Sequence, residues 1–114
     1  MATSFGSQFA PKMVVSTGGA EGYEPASVID MAPLQLSPAA HALHYGSSCF
    51  EGMKAHKGTD GTVRIFRLDA HVARMRRSAE LLMLPVPPAD LLAGMITDAV
   101  AANLDSVPDA PGAL

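Results

Sequence analysis

Three arginines set close together, Arg74, Arg76 and Arg77, come nearest to a binding chemistry in type and spacing. Leu68, Val72, Met75, Ala79 and Leu82 step by 4, 3, 4 and 3, which predicts a helix over residues 68–84 with one apolar stripe. Measured round that helix from Met75, Arg77 lies about 160° away and should be solvated. Arg76 lies about 100° to one side, with Glu80 one turn on as a surface partner. Arg74 lies about 100° to the other side, at the stripe edge with His71 and Ser78. It has no carboxylate three or four residues away and must find a partner elsewhere. An anion such as a phosphate suits its planar donor fork. The plainer alternative is a surface arginine with its stem packed on the core.

The second concentration of reactive side chains is residues 41–54, with His41, His44, Tyr45, Ser47, Ser48, Cys49, Glu51 and Lys54. His41 and His44 have helical spacing for a metal pair, but no third ligand follows at zinc spacing. Histidines so placed are more often packed and hydrogen-bonded. Cys49, the single cysteine, reads as a small apolar side chain. Glu51 has no second carboxylate for acid–base work. Gly52, inside a strand pattern, suggests close approach by another backbone or a ligand. Gly18, Gly19 and Gly22 fit neither a P-loop nor a dinucleotide fingerprint.

The elements that must position these residues are legible from pattern. Residues 12–16 read as a strand, 17–22 as a turn and 26–31 as a second strand ended by Pro33. Ser37-Pro38 reads as a helix start, with Gly46 stopping a short helix over 38–43. Residues 50–56 and 62–66 read as strands joined across the Asp60-Gly61 turn. After the helix at 68–84, Pro87 and Pro88 open another that ends near Asn103. Strands followed by two helices imply an α+β fold with a mainly antiparallel sheet. Residues 1–103 then form one domain, and 104–114 read as the start of an interdomain connector. An ending inside a linker suggests a truncated or split protein.

Composition narrows the class. Net charge is −3 over 114 residues, with no basic patch for nucleic acid. One cysteine allows no disulfide framework. Residues 1–11 hold no apolar signal core, and no run approaches a membrane span. Residue pattern alone gives a soluble α+β domain, cytoplasmic by default, with an arginine suited to an anion.

One stretch carries more. Residues 43–55, L-H-Y-G-S-S-C-F-E-G-M-K-A, closely resemble the H-Y-G-x-x-x-F-E-G-[LMI]-[KR]-A segment of branched-chain aminotransferases. These are class IV (fold type IV) pyridoxal-phosphate enzymes. The likeness continues through G-T-V-R-I-F-R-L-D-A-H-V-A-R-M-R-R-S-A at 61–79. It extends upstream to F-G-S-Q-F-A-P-K-M at 5–13 and P-L-Q-L-S-P-A-A-H at 33–41. The F-E-G element separates these enzymes from D-amino-acid transaminases and aminodeoxychorismate lyases, which usually lack that glycine.

The resemblance implies the N-terminal small domain of a homodimeric enzyme that moves the amino group of leucine, isoleucine or valine to 2-oxoglutarate. On it, Arg74 contacts the phosphate of pyridoxal 5'-phosphate. Phe50 and Phe9 line the pocket for the substrate side chain, and Gly52 lies beside that pocket. Tyr45 reaches the pocket of the neighbouring subunit, and Lys54 sits where the family has Lys or Arg on the substrate side. No catalytic residue is assigned within this sequence. The family's cofactor-holding lysine and its pyridine-nitrogen carboxylate belong to a C-terminal domain that is absent here. Lys12, Lys54 and Lys57 are the only lysines, and none fits that lysine's motif. On this reading the chain alone is inactive. The rival expectations are a non-catalytic assembly domain and another class IV enzyme.

Overall fold

A computed structural model describes residues 6–114; Phe5, which opens the upstream stretch quoted above, lies outside them. The first expected strand pair forms. β1 (Lys12–Val15) runs antiparallel to β4 (Ser27–Asp30), with Lys12 opposite Asp30 and Val15 opposite Ser27. Lys12 and Asp30 close the ladder with an ion pair. The turn expected between them holds a smaller ladder of its own, β2 (Gly18–Gly19) against β3 (Gly22–Tyr23). Two glycines there are required. A side chain at Gly18 would strike the Tyr23 ring, and Gly22 has a φ of 117°.

The first helix departs from expectation. α1 spans His41–Tyr45 rather than 38–43. Ser37 does cap, but it caps an isolated turn: its Oγ accepts the Ala39 N–H at 3.1 Å and its carbonyl accepts the Ala40 N–H at 2.9 Å. Ala40, at ψ 129°, then breaks the chain away before the helix begins. Gly46 ends the helix in the left-handed conformation, φ 65°, as its type and position imply.

The strand expected over 50–56 is also shorter. β5 covers only Ala55–Lys57 and pairs with β6 (Val63–Ile65) across the expected turn. That turn is set locally, by the Asp60 carboxylate accepting the Thr62 N–H at 3.0 Å and by Gly61 at φ 79°. Residues 46–54 have no regular structure, because none of the described strands lies beside them to complete a ladder. Among the described residues the expected single sheet is therefore three separate two-stranded ladders. The free edge of β5 is taken by Leu114, which exchanges both backbone hydrogen bonds with Ala55, at 2.8 and 3.0 Å.

α2 (Leu68–Leu81) buries Val72 and Ala79, as the stripe requires. It stops three residues before the expected end, leaving Leu82 exposed. The Leu84 N–H bonds to the Ala79 carbonyl at 2.9 Å while Met83 turns left-handed at φ 57°. This closes the last turn with methionine where glycine is usual. α3 (Ala89–Ala102) follows the two prolines and ends at Asn103, as expected.

α3 packs on β1, β4 and α2. Asn103 locks that arrangement. Its Oδ1 accepts the Lys12 N–H at 3.0 Å, and its Nδ2 donates to the carbonyls of Lys12 at 3.0 Å and Ala99 at 2.7 Å. The buried apolar residues are Ala55 of β5, Val72 and Ala79 of α2, and Val107 after α3. The result is a small α+β unit. None of its described helices is long and apolar enough to cross a membrane.

Candidate functional site

The irregular segment 46–54 lies against α2, with the Cys49 Sγ 3.9 Å from the Met75 Sδ and the Glu51 side chain bonded to His71 and Arg74. The Glu51 carboxylate is 8% exposed, so it needs strong partners. Arg74 donates through Nε to Oε2 at 2.7 Å and through Nη2 to Oε1, and the His71 Nδ1–H donates to Oε1 at 3.0 Å. His71 and Arg74 stand three residues apart on α2, which puts both on the side that faces the segment. The hydrogen bonds from Arg74, and then from His71, hold the Glu51 carboxyl down at about 2, and Glu51 in turn raises the Arg74 guanidinium.

This geometry completes the reading of the three arginines. Arg74 lies at the stripe edge with His71, and its partner is a carboxylate 23 residues back in sequence. The other two both depart from expectation. Arg77, not Arg76, reaches Glu80, at 3.4 Å, while Arg76 donates through Nε to the Pro87 carbonyl at 3.0 Å. Helical angle alone does not choose between them, because i,i+3 and i,i+4 neighbours both face Glu80. A loop carbonyl brought alongside Arg76 settles the choice.

The side chains expected at a substrate pocket are on the surface. Phe50 is 91% exposed, Tyr45 77% and Phe9 76%. Tyr45 carries the His41 ring edge-on at 5.2 Å and the His44 ring tilted at 6.3 Å. A Cβ at Gly52 would meet nothing within 4 Å, so the close approach expected there is not made by any of the described residues. Gly52, Met53, Lys54, His56, Phe66 and His71 together line a shallow depression of about 400 Å³. Among the described residues no group of three His, Cys, Asp or Glu side chains is placed to hold a metal ion.

The Glu51–His71–Arg74 cluster was not foreseen. The available signal was the i,i+3 pair His71 and Arg74, both lacking an acidic neighbour on their own helix. A carboxylate from elsewhere was required, and the motif at 43–55 held Glu51, which has no second carboxylate for acid–base work. Asn103, reading as a helix end, gave no sign of its hold on β1.

No family model matches the chain. Individual proteins do. It is 39% identical over 92 residues to a branched-chain-amino-acid aminotransferase of Mycolicibacterium smegmatis, covering 81% of this chain and 25% of that protein. It is 36% identical over 109 residues to one of Mycobacterium tuberculosis, covering 95% and 30%. A branched-chain-amino-acid transaminase of Bacillus subtilis is 35% identical over 91 residues, covering 80% and 26%. The matched stretch is the N-terminal part of these proteins. The chain is thus similar to the N-terminal part of branched-chain aminotransferases from several organisms. It spans between a quarter and a third of the length of the curated aminotransferases it matches. The match to the Mycobacterium tuberculosis aminotransferase takes in nearly all of the chain, so the motif at 43–55 does not carry the relationship alone.

Proposed function

We propose that this chain forms the N-terminal part of a pyridoxal-phosphate-dependent branched-chain aminotransferase of fold type IV. That enzyme exchanges the amino group of leucine, isoleucine or valine with 2-oxoglutarate, as a homodimer in the cytoplasm. The observation that carries the reading is the state of Arg74. A guanidinium has five N–H donors, and Glu51 takes the Nε–H and one on Nη2. The remaining edge, formed by Nη1 and the outer N–H of Nη2, has no partner among the described residues, and the side chain is 66% exposed. That donor set fits a phosphate. When bound, pyridoxal phosphate supplies the electron sink for amino-group exchange.

The chain's own residues bind and orient. Arg74 anchors the phosphate and so fixes the cofactor's attitude. Phe50 and Phe9 offer apolar surface to a branched side chain, and the open space at Gly52 leaves room for it. Tyr45 stands out from α1, free to reach a neighbouring subunit. Lys54, exposed beside Gly52, supplies a cation on the substrate side. None of the three lysines is assigned the cofactor-holding role; Lys12 is engaged by Asp30 and Lys57 by Asp109.

The test replaces the matching segment of a mycobacterial relative with this chain and titrates cofactor by absorbance. In that chimera Arg74→Ala should weaken binding about 10- to 100-fold, as for loss of charge-assisted hydrogen bonds. Arg77→Ala should change it by less than about twofold. Cofactor loss from Arg77→Ala but not from Arg74→Ala would overturn the assignment.

A further inference from the structure

We infer that Glu51 is a positioning residue, which holds the Arg74 guanidinium so that its outer edge is presented to a phosphate group. This rests on the reading of Arg74 given above and deepens it. An arginine on a surface helix samples many rotamers, and fixing one costs binding free energy when a ligand arrives. Here that ordering is already done. Glu51 grips the side-on fork, Nε and Nη2, and the guanidinium plane is set by two bonds to one carboxylate. Glu51 is itself fixed, being almost wholly buried and held by His71 from one turn N-terminal to Arg74.

The two forks of a guanidinium are separate edges. A carboxylate on the side-on edge therefore does not compete with a phosphate on the end-on edge formed by Nη1 and Nη2. Glu51 also sets the charge of the site. With Glu51 ionised and Arg74 cationic, the pair is neutral overall. Recognition of a phosphate then depends on the directed N–H donors that Glu51 leaves open rather than on net charge.

The experiment uses the whole chain, isotopically labelled, with inorganic phosphate as the probe. Arg74 side-chain resonances and the Glu51 carboxyl carbon are followed by NMR. Phosphate should shift the Arg74 Nη signals saturably while the Arg74 Nε–H and the Glu51 carboxyl stay in place. In Glu51→Gln the Arg74 response should weaken about three- to tenfold, with the backbone amides of α2 unmoved and Arg77 unaffected. Glu51→Asp, which keeps the charge, should recover part of the response. Displacement of Glu51 by phosphate in the unmodified chain would overturn the proposal without any variant. So would an undiminished response in Glu51→Gln, or no response at Arg74 at all. A second pair of probes, pyridoxal phosphate and pyridoxal, separates this from the functional reading. If both perturb the chain equally and neither reaches Arg74, the cofactor assignment fails, whatever Glu51 does with inorganic phosphate.

Discussion

Glu51 lies 20 residues from His71 and 23 from Arg74, and these three side chains bind the site together. Its carboxyl is depressed from 4.5 in the unfolded chain to about 2 in the folded one. A depressed carboxyl stabilises the fold when ionised. Its contribution is therefore whole above 4.5, declines as pH falls, and is gone below about 2. NMR titration of the Glu51 carboxyl carbon should give a midpoint near 2; a midpoint at 4.5 or above would mean that the cluster does not form in solution. The lysines offer a second check at this scale. Equimolar pyridoxal phosphate followed by borohydride should leave no single lysine stoichiometrically modified, as read by peptide mass spectrometry. Full labelling of one of Lys12, Lys54 or Lys57 would contradict the roles given to them. The placement of Arg74 beside His71 was legible because helical angle is a local property. Its carboxylate was not, because nothing local records which residue of an irregular segment folds back onto a helix.

At the scale of elements the same division holds. The 58–61 turn and the two long helices are legible because turn chemistry and helical periodicity act over a few residues. The strand at 50–56 shrank to Ala55–Lys57 because a strand needs a neighbour, and the neighbours of β5 are β6 and Leu114, the latter 59 positions away from Ala55 in the numbering. α1 started late because Ser37 could cap a turn as well as a helix. Two substitutions test the elements as described. Asn103→Ala removes three hydrogen bonds made by a buried amide and should destabilise the chain by about 2–4 kcal/mol in urea unfolding. A loss under about 0.5 kcal/mol would show that α3 is not clamped to β1. Met83→Gly relieves a left-handed backbone at φ 57° on a side chain 92% exposed. It should raise stability by about 0.5–1 kcal/mol, and a fall would show that the closing turn of α2 is formed differently.

The whole molecule exposes more surface than its size warrants. Its accessible area is 8459 Å². A compact monomer of 11.8 kDa exposes about 5,900 Å². The excess of about 2,500 Å² is of the order that a large obligate interface hides on one partner. Phe9, Leu34, Leu36, Leu43, Tyr45 and Phe50 are among the chain's exposed large apolar side chains. Exposed apolar area of this extent should make the isolated chain self-associate, so light scattering should show mass rising with concentration. A monomer at every concentration would contradict this.

A rate measurement tests what the chain contributes to an enzyme. The chimera that carries this chain in place of the N-terminal part of a mycobacterial relative is loaded with cofactor. It is then assayed for amino transfer to 2-oxoglutarate from leucine, isoleucine, valine and D-alanine. Turnover with the three branched donors, and none with D-alanine, is the expected result. A folded, cofactor-loaded chimera that prefers D-alanine, or turns over no donor, would contradict the proposed function.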